Sequence, residues 1–273
     1  MDHNPKISVV ISTYNSEEWL TKVIWGYEAQ EFREFELIIA DDGSGNATRK
    51  CITDLQAKVN FPVIHVWQED HGFQKCRILN RALMVCSADY IVMSDGDCIP
   101  RADFLLEHFR KRKKGYFLSG GCFRLPLCLS ETITKTEIIS GKCFDIKWLS
   151  NKGLPSSFKN NKLSATGLKS RLLNTITTTK ASWNGHNSSG WKKDILAVNG
   201  FDERMQYGGE DRELGDRLAN YGLRSRQIRY SAICLHLEHS RPYKTPEAIK
   251  QNRLIRKQTK ENRAVWTPYG IEK

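Results

Sequence analysis

The sequence predicts an α/β protein with a mostly parallel central sheet and helices on both faces. Two observations carry this: short apolar runs rich in β-branched residues alternate with amphipathic stretches four times before residue 95, and three of those runs end in polar, turn-forming clusters. Parallel strands need long crossover connections, and helices supply them.

Ile7-Ser-Val-Val-Ile11 reads as the first buried strand and passes into Ser12-Thr-Tyr-Asn-Ser16. Ser16 is the expected N-cap of a helix that carries Glu17 and Glu18 in its first turn and Leu20, Val23, Ile24 and Tyr27 on one face. Phe35 to Ala40 is the second strand, ending at Asp41-Asp42-Gly43-Ser44, and Thr48 to Lys58 forms the next helix. Phe61 to Trp67 gives a third strand. Lys75 to Cys86, with Ile78, Leu79, Ala82 and Leu83 at helical spacing, gives another helix. Tyr90 to Met93 is the fourth strand and runs into Asp95-Gly96-Asp97.

In such a sheet ligands bind beyond the carboxyl ends of the strands, so these polar clusters should share one rim. The second half is less regular. Leu125 to Lys180 lacks a sustained period and is expected as a long loop or short helices. Gly208-Gly209-Glu210-Asp211 opens a helix with Leu214, Leu218 and Tyr221 on one face, and Gly222 ends it. Arg226 to His236 reads as a strand. Thr245-Pro246 is an N-cap followed by proline at the first helical position, and Lys250, Arg253, Lys257 and Lys260 share a face of the final helix.

The 273 residues, 40% of them apolar and with a formal charge of +11, suffice for one α/β domain with a buried core and exclude collagen, disorder and a disulfide miniature. No apolar run approaches the roughly 20 residues of a spanning helix. The opening Met1-Asp2-His3-Asn4-Pro5 has neither the basic region nor the apolar stretch of a signal peptide, so the expected location is the cytoplasm. Eight cysteines without a C-x-x-C pair read as reduced thiols. The positive balance suits nucleic acid, an anionic membrane surface or a polyanionic substrate, but no nucleic-acid motif accompanies Arg110-Lys-Arg-Lys-Lys114.

Asp95-Gly96-Asp97 places two carboxylates on a tight turn at a strand end, where Mg²⁺ or Mn²⁺ could bridge them to a diphosphate; Asp and Gly are also ordinary turn residues. His236, with His239 as the substitute, could complete a cation site with Asp97, and Mn²⁺ tolerates imidazole. Glu210 and Asp211 stand at a helix N-terminus that favours the ionised form, the state required of a general base; simple capping is the plainer explanation, but it leaves Gly208 and Gly209 unexplained, which would let a bulky ligand approach. Tyr14, Trp183 and Tyr207 could stack on a base or sugar, or belong to the core.

In this order the pieces resemble a known family. Ile7-Ser-Val-Val-Ile-Ser-Thr-Tyr-Asn15, Asp41-Asp42-Gly43-Ser44 and Asp95-Gly-Asp97 are similar to the donor half of inverting family 2 glycosyltransferases of the GT-A fold. Asn184-Gly-His-Asn-Ser188, Val198-Asn-Gly-Phe-Asp202 and Gly208-Gly-Glu-Asp211 resemble the carboxyl half of β-1,4-galactosyltransferases and bacterial chondroitin-type polymerases. The resemblance spans roughly residues 6 to 240.

It implies that Thr13, Tyr14, Asn15 and Asp42 line a nucleoside pocket, with Asp95 on the ribose side, Asp97 on the metal and Arg77 and Asn80 on the donor. Asp211 matches the base and Glu210 an acceptor contact, with Trp183, Asn187, Tyr207, Gly208 and Gly209 beside the acceptor; Tyr207 stands where the galactosyltransferases have tryptophan. The implied organisation is a nucleotide-sugar half at 1–105, an acceptor and catalytic half at 106–242 and a basic helix at 243–273. The implied partners are a UDP-linked sugar, a saccharide or lipid-linked saccharide acceptor and Mn²⁺ or Mg²⁺; peripheral contact of the basic helix with the inner face of a membrane is a further expectation. A nucleotidyltransferase is the competing enzyme class, but Ser12 to Ser16 contains no glycine for a phosphate loop. A non-catalytic saccharide-binding module is the third.

Overall fold

The computed structural model describes residues 4–240 and 243–272. Signal-peptide reasoning over Met1 to His3 and the implied segment limits at 1, 242 and 273 therefore lie outside the described residues.

The first half follows the expected βα order. Strand β1 (Ile7–Thr13) is followed by α1 (Glu17–Glu28), β2 (Phe35–Asp41), α2 (Asn46–Gln56), β3 (Val63–Trp67), α3 (Lys75–Val85) and β4 (Tyr90–Asp95). Each boundary lies within two residues of its expected place. Ser16 occupies the N-cap of α1, but its side chain makes no capping bond. A short β5 (Cys98–Pro100) and α4 (Phe104–Lys111) lead to β6 (Tyr116–Ser119) and β7 (Gly121–Arg124).

The stretch from 125 to 180 folds as short helices: α5 (Leu127–Thr132), α6 (Lys135–Ile139), α7 (Ile146–Asn151), α8 (Asn161–Ser164) and the longer α9 (Gly167–Ile176), with two 3-10 turns between them. Then come β8 (Ser188–Trp191), α10 (Lys192–Ala197), α11 (Glu210–Asn220), β9 (Arg224–Gln227), β10 (Ile233–His236) and α12 (Pro246–Glu261). The expected single strand from Arg226 to His236 is corrected to two strands. Between them the Ser231 and Ala232 amides donate to the Ile228 carbonyl at 2.8 and 2.9 Å, a turn that sends β10 to a different sheet.

The main sheet runs β3-β2-β1-β4-β8-β6-β9, parallel except that β8 is antiparallel to β4 and β6. Val9, Ile11, Leu37 and Ile39 face a core built with α1 and α2, while Val10, Ile38 and Ala40 face one built with α3 and α11. This two-sided burial is why β1 and β2 read as continuous apolar runs. Register places Thr13 beside Asp41 and Ser12 beside Asp95, so the polar clusters share one edge, as expected.

A small sheet, β5-β10-β7, sits beyond that edge and carries the residue that follows Asp97. Below the edge, α11 is tied down by a buried pair: Arg217 Nη2 lies 2.8 Å from Glu213 Oε2, each side chain 1% exposed. Arg217 also donates to the Val198 and Gly200 carbonyls, and Thr259 of α12 donates to Glu213. Arg217→Met strands the Glu213 charge, so it should cost about 3–5 kcal/mol in urea unfolding; an unchanged midpoint contradicts this role.

Candidate active site

Strand pairing assembles the acidic edge. Cys98 of β5 stands opposite His236 of β10, and the Leu237 amide donates to the Asp97 carbonyl at 2.8 Å, which brings both histidines beside the Asp97 carboxylate. His239 Nε2 is 2.8 Å and His236 Nε2 3.5 Å from Asp97 Oδ2. The two imidazoles lie nearly parallel, with ring centroids 6.1 Å apart. Donor atoms of Asp97, Cys98 and His236 lie within 4.8 Å of one another.

A carboxylate with two imidazoles fits a cation of intermediate hardness such as Mn²⁺. Burial would raise Asp97, but the His239 hydrogen bond and the neighbouring His236 hold it well below the usual carboxylate range, ready to ligate. Burial pushes the Cys98 thiol well above its ordinary range, so it sits as a neutral thiol beside the Asp97 carboxylate. Asp97, His236 and His239 are thus brought together as the sequence suggested.

Asp95 faces a different partner. Its Oδ1 accepts from Ser12 Oγ at 2.7 Å and from Lys75 Nζ at 2.8 Å. Burial opposes ionisation there, yet the Lys75 ammonium keeps Asp95 below its ordinary value. Lys75 also feels Asp211 and Glu210 and is held protonated, because its attraction to the three carboxylates outweighs its own burial. One cation therefore joins acids that lie more than a hundred residues apart in sequence.

Gly208 and Gly209 enter α11 with φ of +115° and +101°, a backbone that side chains strain. The Gly208 amide donates to Glu210 Oε2 at 2.8 Å, folding that side chain back on its own loop. Asp211 is partly exposed, but its Oδ1 is itself buried against the Gly185 backbone, whose amide helps hold the carboxylate ionised. A Cβ on Gly185 would stand 2.9 Å from that oxygen, so Gly185 leaves it room. Burial, with Glu210 beside it, pushes Asp211 up to about 7. This corrects the expectation that the helix N-terminus keeps it ionised throughout the neutral range: desolvation outweighs the dipole.

On the other side of the rim, Thr13 Oγ1 is buried and likewise unbonded. Tyr14 Oη donates to Asp70 Oδ2 at 2.9 Å, and Asn15, at φ +44°, accepts from the Gly45 amide at 3.0 Å. Asp42 accepts from Gln68 at 2.7 Å and from the Gln74 amide at 2.9 Å, and burial raises it to about 6. Tyr207 packs edge-on to Phe73 at 6.2 Å and against Tyr243 at 5.1 Å, forming an aromatic cluster beside Gly208. An open cleft of about 320 Å³ lined by Lys244, Pro246, Ile249, Lys250 and Arg253 adjoins the same loop.

Three expected contacts are corrected. Trp183 is fully buried against Phe117, a core residue rather than a sugar platform. Asn187 is buried and brackets backbone, donating to the Gly121 and Ala232 carbonyls at 2.8 and 3.0 Å. Asn80 does the same for Phe201, donating to its carbonyl at 2.9 Å and accepting from its amide at 2.7 Å. Arg77, the other expected donor contact, is exposed and donates to Gln74 at 3.3 Å. Lys75, two positions earlier and the other half of the basic pair that the sequence offers at this rim, is the cation that enters the cluster, although it was not among the expected donor contacts. The basic face of α12 is also not a uniform free surface, since Lys257 pairs with Glu261 and Lys260 with Asp216.

Comparison with known proteins finds glycosyltransferases along both halves of the chain. The model for "Glycosyl transferase family 2" matches residues 8–142, and that for "N-terminal domain of galactosyltransferase" matches 177–240. The uncharacterized glycosyltransferase YfnE of Bacillus subtilis is 28% identical over 90% of this chain and 68% of its own. Chondroitin synthase of Escherichia coli is 24% identical over 85% of this chain, which spans only 34% of that protein. TarS of Staphylococcus aureus, a poly(ribitol-phosphate) β-N-acetylglucosaminyltransferase, is 26% identical over 64% of this chain and 27% of its own.

Among solved structures, TarS in complex with UDP-GlcNAc superposes with a TM-score of 0.61 at 18% identity, covering 94% of this chain and 69% of that one. A mannosyltransferase from Pyrobaculum calidifontis, in complex with GDP-Man and Mn²⁺, gives 0.58 at 16% identity, covering 89% and 59%. At these identities the likeness carries the fold, which is the GT-A arrangement. Among the described residues no helix is long and apolar enough to cross a membrane.

Proposed function

We propose, from a chain whose residues 8–142 belong to glycosyl transferase family 2, that it moves a hexose or N-acetylhexosamine from a UDP-linked donor to a saccharide hydroxyl with inversion at the anomeric carbon. The observation that carries the reading is Lys75, bonded to Asp95 and drawn to Asp211 and Glu210, which unites the rim of the sheet with the start of α11. Relatives in complex with UDP-GlcNAc and GDP-Man support a nucleotide-sugar donor.

In this reading the acceptor hydroxyl meets the Asp211 carboxylate, which takes its proton as the new glycosidic bond forms. A single base on the acceptor side implies one displacement and hence inversion. Mn²⁺ or Mg²⁺ held by Asp97 with His239 or His236 would supply positive charge to the departing diphosphate. Lys75 keeps Asp95 ionised and offsets negative charge in the pocket. The aromatic cluster around Tyr207 and the basic cleft beside Gly208 support an acceptor approaching over the Gly208-Gly209 loop.

The test is a panel of UDP- and GDP-sugars with simple saccharide acceptors, with and without Mn²⁺, the product's anomeric configuration read by NMR. The expected result is cation-dependent transfer from a UDP-sugar with inversion. Retention of configuration, or equal rates in chelator, contradicts the mechanism.

A further inference from the structure

The stretch 146–180 contains six lysines, one arginine and no aspartate or glutamate. Its longest element is α9, and one side of that helix faces open solvent with large apolar groups: Leu168, Leu172 and Ile176 are 80%, 60% and 61% exposed. Spaced at i, i+4 and i+8, they form one row along the helix. Phe158, just ahead of α8, is 73% exposed.

The opposite side of α9 is fixed to the body of the protein. Ser170 is buried, Asn174 Nδ2 donates to Ser231 Oγ at 2.9 Å, and the Tyr230 amide donates to Asn174 Oδ1 at 2.9 Å. The exposed row is therefore held outward by a docked helix. Lys169 and Arg171 are exposed and, at 3.6 residues per turn, fall on either side of the row. Lys147, Lys152, Lys159 and Lys180 are exposed on the same stretch, and none of these cations has an ion-pair partner among the described residues.

Scattered exposed leucines need no explanation, but an ordered row with cationic margins does. The charge, all of one sign, selects an anionic partner. The row selects one that accepts aliphatic side chains without dedicated pockets. A lipid surface rich in anionic headgroups offers both, with the apolar row at the headgroup–acyl boundary and the lysines at the phosphates.

We propose that α9, with Phe158 and the surrounding lysines, is a membrane-surface docking element specific for anionic lipid. On α12, by contrast, Arg256, Lys257 and Lys260 already pair with Asp216 and Glu261, and Lys250 and Arg253 line the cleft beside the Gly208 loop. One such row binds reversibly, so the protein exchanges between membrane and solution.

Vesicle flotation tests this without donor or acceptor, so its failure is separate from failure of the proposed transfer reaction. Vesicles with about a third phosphatidylglycerol in phosphatidylcholine should retain the protein roughly ten-fold better than phosphatidylcholine alone, and added salt should weaken retention. The triple change Leu168→Ser, Leu172→Ser and Ile176→Ser alters only exposed positions and should lower retention roughly ten-fold with an unchanged melting curve. Lys250→Gln with Arg253→Gln should leave retention intact. Equal binding to both vesicle types, loss of binding in the α12 variant alone, or unaltered binding by the serine triple overturns the proposal. So does a wild-type dimer in sedimentation that the triple converts to monomer, because the row would then be covered by a second copy.

Discussion

Asp211→Asn should bind the nucleotide-sugar as wild type does and turn it over about 10²–10⁴-fold more slowly. The side chains are nearly isosteric, so the fold has no reason to change. What disappears is the group that accepts the proton. The pH dependence gives a second handle. Burial and Glu210 raise Asp211 to about 7, so in the wild type kcat/KM climbs with pH through about 7 and levels above it as the base becomes ionised. The variant's residual rate lacks that limb.

Stability should move the other way. A carboxyl whose folded pKa is raised above its ordinary 3.8 penalises the folded state increasingly as pH rises from there to about 7, and constantly beyond. Removing the charge should make Asp211→Asn more stable than wild type at pH 8, with the gap closing as pH falls towards 4. A variant with full turnover, or one less stable at pH 8, contradicts the assignment.

Asp97→Ala carries the other large effect. Asp97 is the carboxylate that both His239 and His236 approach, and it stays ionised despite burial, so the site loses its anionic ligand with the substitution. Mn²⁺ affinity, measured by calorimetry or by the free-ion spin resonance signal, should fall roughly 100-fold or more, and UDP affinity in Mn²⁺ should fall with it. His239→Ala and His236→Ala should each weaken Mn²⁺ less, with the fold retained. Unchanged Mn²⁺ binding in Asp97→Ala would remove the cation site from this cluster.

The strands and their rim were legible because parallel-sheet strands are buried on both faces and end in turn chemistry. Val9, Val10, Ile38 and Ile39 could hardly serve another purpose. The acids and histidines were legible because residues at the ends of paired strands converge: Ser12 sits beside Asp95 and Cys98 opposite His236. Asparagines were misread for a general reason. Asn80 and Asn187 carry both donor and acceptor groups and so can satisfy backbone at buried junctions, and nothing in a motif says whether an amide faces a ligand or a carbonyl.

Lys75 and Arg77 illustrate a finer limit. Two positions apart on α3, they point to opposite sides, and only the phase fixed by buried Cys76, Ile78 and Leu79 decides which enters the cleft. The break between β9 and β10 was hidden because Ile228 and Tyr230 keep the run apolar through a turn. The basic stretch 146–180 was visible in composition, but its outward apolar row depends on how α9 docks at Ser231.

The most direct measurement is a crystal of the protein soaked with UDP and Mn²⁺, with the anomalous signal of manganese located. The account predicts a peak bound to Asp97 and at least one of His236 and His239, the diphosphate on the same ion, and Asp211 facing the open side of that site. Manganese or UDP bound elsewhere, or a nucleotide whose diphosphate lies away from Asp97 with Asp211 turned from it, would contradict it.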